Sequence, residues 1–396
     1  QKTRLALSLD PKHILSVSFP AMSDYTQIRP VGNVPVWPNT TTMLGDLPMK
    51  LFKALTGIAG AIALTTGSAF ADDLRWKMPV AFATNLPGLG SPAAWVADNL
   101  NTASDGSIQV RVYEPGKLVP AFDILQSVSD GKVSAGYTWI GYDQGKVPAI
   151  PLFAAVPFGM KPPAYIGWYY FGGGHEMLQE AYANKGFDVH AQLCGIIGPE
   201  TAGWYSKPIE TLEDYKGLKI RFAGLGGKVL EKLGASVTMM PGGELYQALE
   251  KGTIDATEFS MPAIDQILGF NQVVKYNLFP GWHQQFTAQY MLINKDEWAR
   301  ATEAQKALVE ASCTAATTRG LAEGEYKNGK VLAEFQDKGV QADQIPRDVL
   351  LKLKEVTQEV LEEEASKDAD FKRVYESQQE FMESYKVWDT RAYVPA

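Results

Sequence analysis

The chain has 396 residues, 45% of them hydrophobic, and a formal net charge of −8. Such a length can bury one or two substantial cores, and the acidic balance excludes a sequence-independent nucleic-acid binder, which needs a basic face. Cys194 and Cys313 are the only cysteines; without CxxC or Cys/His spacing a zinc site is not expected, and two thiols so far apart are expected to be separate buried residues rather than a pair.

In chain order, residues 1–48 are rich in Pro, Thr and Ser, contain PVGNVPVWPNTTT and lack helical periodicity. They read as an upstream extension or a misplaced start, disordered if present. Residues 49–71 differ. Met49 leads into Lys50 and Lys53, an apolar run over 54–64, and then Ser68-Ala69-Phe70-Ala71. A basic start, a short apolar run and a small-x-small site form a secretory signal peptide, with cleavage expected after Ala71. The apolar run is too short to span a bilayer stably, and no later stretch is long and apolar enough. Residues 72–396 are therefore expected to be exported to the periplasm as a soluble, acidic protein.

The exported part opens with an apolar strand over 76–83, a glycine-rich turn (Thr84-Asn85-Leu86-Pro87-Gly88-Leu89-Gly90) and a helix over 93–103 with Ala94, Val96, Ala97 and Leu100 on one face. A strand over 108–113 alternates cleanly, a helix covers 120–128, and a third strand covers 133–139. This βαβαβ order favours a parallel sheet. From about residue 196 the alternation restarts, with helices near 227–233 and 244–251 that stop at Gly234 and Gly252. Two such units suggest two lobes with a cleft between them: 72–195, 196–281, and a return to the first lobe over 282–396. That last part is helical, with an unbroken stretch over 302–339 expected to run along both lobes, then helices over 346–367 and 370–388. The charge run Glu362–Glu364 reads as a solvated helix face.

The stretch from Lys216 to Glu258 carries the chemistry. Arg221 sits on a short apolar strand and Glu258 follows a later one, and groups at strand ends of open α/β sheets converge on a shared crevice. An arginine there offers a fixed fork of donors suited to a carboxylate ligand. Tyr137, Trp139 and Tyr142 cluster around the third strand and Trp282 follows Pro280-Gly281; Tyr137 and Trp282 read as pocket walls, Trp139 and Tyr142 as either pocket or core. Phe82 and Asn85, at the first strand end, are further candidates. His283 could donate to a ligand oxygen or simply be solvated, and His175 reads as a helix start.

The runs LKIR (218–221), LEKLGASV (230–237), GGELYQALEKGTIDATE (242–258) and FPGW (279–282), supported by PGKLVPAFDILQSVSDGKV (115–133), AVPFG (155–159) and AGWYSKPI (202–209), resemble a family. The chain from Asp72 onward is similar to the solute-binding proteins of tripartite ATP-independent periplasmic (TRAP) transporters, and within them to the subgroup that binds small 2-oxo or 2-hydroxy monocarboxylates with a metal ion. The resemblance implies an α/β, two-lobed periplasmic binding protein with a ligand cleft, a long connecting helix and a helical C-terminal region. It implies that Arg221 clamps the ligand carboxylate, and that Glu258 and the backbone carbonyl of Phe259 ligate the ion. Glu200 falls where a glutamine ligand is expected; a second carboxylate favours Ca²⁺ over Na⁺. The implied partners are a small organic acid and membrane TRAP permease subunits, and the C-terminal helices either pair two copies or fold back on their own lobe. Two rival functions stay open: an exported metal-dependent hydrolase using Glu200 and Glu258 as acid and base, and a ligand-binding sensor for a membrane kinase.

Overall fold

A computed structural model of the protein describes residues 73–392 and Val394. The extension and signal peptide expected over 1–71 lie outside the described residues.

The first lobe opens as alternation dictates. In β1 (Leu74–Pro79), Leu74, Trp76 and Met78 are buried while Arg75 and Lys77 face solvent. The strand ends sooner than expected: beyond Pro79, Val80 still donates to the Tyr113 carbonyl (3.0 Å), but Ala81 turns to the Tyr137 carbonyl (2.9 Å). The helix Ser91–Ala103 buries Ala93, Val96, Ala97 and Leu100, and β2 (Ile108–Tyr113) pairs parallel with β1. β3 (Ala135–Thr138) follows the short helix Ile124–Ser129. Here the expectation of a purely parallel sheet fails. β3 meets the end of β1 through a single parallel bridge, from Val80 just past the strand to Tyr137. Its main partner is antiparallel, a strand that returns from the second lobe.

The other strands are β4 (Val189–Ile197), β5 (Gly203–Tyr205), β6 (Lys219–Arg221), β7 (Ser236–Thr238), β8 (Ala256–Thr257), β9 (Tyr276–Phe279), β10 (Thr287–Asn294) and β11 (Gln341–Gln344). β10 lies antiparallel between β3 and β4, closing the first lobe's three-stranded sheet. The second lobe is a six-stranded sheet in the order β11-β9-β5-β8-β6-β7. The chain passes between the sheets through residues 198–202 and 280–286.

The long helix Glu303–Phe335 begins at a capping box made by Thr302 and Gln305. It packs on β4 and the helix Ser91–Ala103 of the first lobe, and further along on the helix Pro262–Ile267 of the second, as expected of a spanning helix. Gly320 permits the close approach: a Cβ there would lie 3.0 Å from the Ile196 carbonyl oxygen. The same packing overturns the expectation of two separate thiols. Cys194 on β4 and Cys313 on the helix, 119 residues apart, form a disulfide, with both side chains fully buried.

The last two helices tie the lobes together. Helix Arg347–Lys367 packs on the second-lobe helix Gly224–Lys232, with Lys228 paired to Glu364 and Lys232 to Glu363 and Glu359. The acidic run is thus less solvated than expected, since Glu364 is largely buried against that helix. Helix Ala369–Ala392 packs on the first lobe, where Lys185 pairs with Asp368, and Arg373 with Glu180. No helix among the described residues is long and apolar enough to cross a membrane.

Candidate functional site

Arg221 ends β6 and Glu258 follows β8, its parallel neighbour, so pairing of the two strands sets the side chains together. Glu258 donates its N–H to the Arg221 carbonyl (3.0 Å). Arg221 Nη1 donates to Glu258 Oε2 (2.7 Å) and to the Glu258 carbonyl (2.6 Å), and Nε donates to the Met240 carbonyl (3.3 Å). The Ala223 N–H also donates to Glu258 Oε2 (3.0 Å). The guanidinium lies 5.3 Å from the Phe259 ring centre. Both charged residues are buried, at 1% and 0% exposure, so the pair persists only because nearly every donor and acceptor is met.

The two interlobe segments bring the rest. Glu200 comes from the first crossing, His283 and Gln284 from the second. Gly281 lets the crossings touch, since a Cβ there would meet the Glu200 carbonyl oxygen at 2.3 Å. His283 Nε2 lies 3.5 Å from Glu200 Oε2 and 3.4 Å from Glu258 Oε1. Gln284 Nε2 donates to Glu258 Oε1 (3.4 Å), and the Thr287 hydroxyl sits between Glu200 Oε1 and Gln284 Oε1.

Electrostatics split the two carboxylates. Burial pushes Glu200 up to about 7, aided by the charge of Glu258 and opposed by His283. Burial would raise Glu258 too, but Arg221 and His283 outweigh it and hold that carboxyl at about 2. Burial disfavours the His283 imidazolium, yet the two glutamates overcome it and raise its pKa to about 9. The cluster thus accommodates positive charge between the glutamates.

A cation fits this cluster. Glu200, Glu258 and, once a cation displaces its proton, His283 each offer one ligand atom, all within 4.8 Å of one another and all buried. Glu200 Oε2 and His283 Nε2 meet only through the long contacts above, and His283 Nδ1 has no hydrogen-bond partner, which is costly unless something answers them. Carboxylate oxygens suit a hard cation.

Not every residue expected from the sequence is gathered here. Phe82, Glu200, Arg221, Glu258 and Phe259 line one cavity of ≈ 10 Å³, about the room one water needs, together with Trp139, Tyr142, Gln284 and Thr287. Tyr137 does not line it. Its ring is in the first lobe's core, with the hydroxyl donating to the Cys194 carbonyl (3.4 Å) over Gly195, where a Cβ would be 2.3 Å from it. Asn85 is exposed on its turn. Trp282 is buried one layer behind, stacked between Phe158 and Phe222 at 5.8 Å from each. Gln284 and Thr287 belong to no pattern visible in the sequence; their only signal is their place just after FPGW.

Comparison with known proteins identifies the family and the fold. Residues 89–368 match the model of the family described as bacterial extracellular solute-binding protein, family 7. A monocarboxylate 2-oxoacid-binding periplasmic protein of Nostoc sp. is 32% identical over 338 residues, 85% of this chain and 92% of that protein. A TRAP transporter solute-binding protein of Bordetella bronchiseptica, solved with calcium and picolinate, superposes with a TM-score of 0.78 at 30% identity, covering 80% of this chain and 94% of that one. One from Pseudoalteromonas atlantica, solved with sodium and pyruvate, gives 0.77 at 30% identity, covering 80% and 96%.

Fold and site together define a two-lobed receptor for a small solute, of the type that serves TRAP transporters. The chain belongs to the bacterial extracellular solute-binding protein family 7.

Proposed function

We propose that this receptor captures a small 2-oxo or 2-hydroxy monocarboxylate together with a calcium or sodium ion, and delivers it to membrane TRAP permease subunits. The observation that carries this reading is the buried guanidinium of Arg221 set against a buried cluster of cation-ligating groups. Glu258, Glu200 and the Phe259 carbonyl would hold the ion, with His283 beside them; the ion supplies charge that offsets the carboxylates and a common partner for ligand oxygens. Nε and Nη1 of Arg221 are already held by protein groups, which leaves Nη2 to meet the ligand carboxylate with the head group pre-oriented. Trp139, Tyr142 and Phe82 exclude water around it. Ligand and ion would enter between parted lobes, and closure would bury them.

This is binding without turnover. Signal cleavage after Ala71, periplasmic residence and the lobe division 72–195, 196–281 and 282–396 belong to the same reading, although β11 adds its strand to the second sheet. A homodimer through the last helix is supported by Val387 and Trp388, each 62% exposed there.

Thermal unfolding with pyruvate or lactate plus Ca²⁺ is expected to shift upward, as binding to the folded state requires, and EDTA should abolish most of the shift. No shift with any short 2-oxo or 2-hydroxy acid would remove the proposal. The charge of Glu200 gives a second expectation. Glu200→Gln should keep the fold, because glutamine can still meet Thr287, but weaken Ca²⁺ about tenfold or more while leaving Na⁺ nearly unchanged. Equal losses for both ions, read by calorimetry, would contradict the role given to that charge.

A further inference from the structure

A strained turn grips the second crossing from outside. In Val156-Pro157-Phe158-Gly159 the Gly159 N–H donates to the Val156 carbonyl (2.9 Å), and Phe158 takes a φ of +53°. A turn with proline second and a positive φ third normally has glycine or asparagine at that third place. Among the described residues the only other non-glycine with positive φ is Asp105, of a type that tolerates it; for a bulky phenylalanine the conformation is an outlier. Such strain persists only where surrounding contacts over-determine it, and it gathers at functional sites.

Here those contacts run to the second crossing. The Phe158 N–H donates to the Trp282 carbonyl (2.8 Å), the Phe158 ring stacks on Trp282 with centroids 5.8 Å apart, and the Gly159 carbonyl accepts from Gln285 Nε2 (2.7 Å). The turn thus holds the crossing at 282 and 285, on either side of His283 and Gln284, the two residues that reach the glutamates. Trp282 passes the grip inward, because its ring also lies against Phe222 (5.8 Å), and Phe222 meets the His283 ring edge to face at 4.6 Å. On its other side the turn borders a cavity of ≈ 220 Å³ shared with Gln358, Leu361 and Gln378 of the last two helices, so close packing does not wedge it from behind. We propose that Phe158 is a positioning residue for the ion: its left-handed backbone aims both N–H and ring at Trp282, and this fixes His283 and Gln284 where Glu258 and Glu200 can share a cation. The role rests on the capture reading above, in which those groups hold Ca²⁺ or Na⁺.

Three substitutions separate the backbone from the ring. Phe158→Gly keeps the turn without strain but deletes the ring, Phe158→Ala deletes the ring and keeps the strain, and Phe158→Tyr keeps both. In EDTA, Phe158→Gly should melt above Phe158→Ala, since glycine alone takes a positive φ freely. Calorimetric titration of Ca²⁺ in excess pyruvate should show both binding the ion about tenfold or more weakly than the natural protein, with Phe158→Tyr within about threefold of it. At saturating Ca²⁺, pyruvate should bind all three variants within about threefold of the natural protein, because Arg221 is untouched. A merely structural role would make ion affinity follow the melting order, with Phe158→Gly recovering what Phe158→Ala loses. That recovery, natural ion affinity in both, or a Phe158→Tyr variant as weak as Phe158→Ala overturns the positioning role alone. A natural protein that takes up no Ca²⁺ in the titration overturns the capture reading with it.

Discussion

Arg221→Ala is expected to abolish acid binding and, separately, to destabilise the protein by about 3–5 kcal/mol. Lost binding follows from the clamp role. Lost stability follows from Glu258, which is fully buried and would keep its charge without its main partner. The two effects can be separated. Arg221→Met combined with Glu258→Gln removes both charges, so urea denaturation should show most of the stability restored while calorimetry shows no binding. Arg221→Lys keeps the charge but not the fork, and should fold normally and bind at least about tenfold more weakly. An alanine variant as stable as the natural protein would mean that the Arg221–Glu258 pair is not the buried contact described here.

Loss of the Cys194–Cys313 bond is the other large effect. The bond links positions 119 residues apart, and a loop of that order stabilises by about 5 kcal/mol through the unfolded chain. Replacing both cysteines by alanine should lower the thermal midpoint by several degrees while ligand affinity stays within about twofold, since neither residue lines the binding cavity. Reductant should act slowly on the folded protein, because both residues are fully buried. An unchanged midpoint in the double variant would sink the expectation.

What could be read in the sequence was whatever local periodicity and strand-end chemistry decide. The alternation in 108–113 gave its strand to the residue, and the apolar face of 93–103 was nearly right. Arg221 and Glu258 were legible because one closes a short strand and the other follows the next, and parallel pairing of those strands then sets them together. Thr287 and Gln284 were not, because they matter only where two crossing segments meet, and that meeting depends on Gly281 lying against Glu200. Tyr137 looked like a pocket wall beside Trp139, yet Gly195 opens a niche that draws its ring into the core. The disulfide was hidden for the same reason, since helix-on-strand packing joins what the chain keeps apart.

The C-terminal helix pair has a mechanical consequence. One arm, Arg347–Lys367, is fastened to the second lobe by Lys228 and Lys232; the other, Ala369–Ala392, is riveted to the first by Glu180 and Asn184, which meet Arg373 and Asp370. Asp368, in extended conformation, is the single residue between them. The arms therefore work like a folding rule jointed at one point, and any swing of the jaws must be taken up by rotation there or by slipping one set of fasteners.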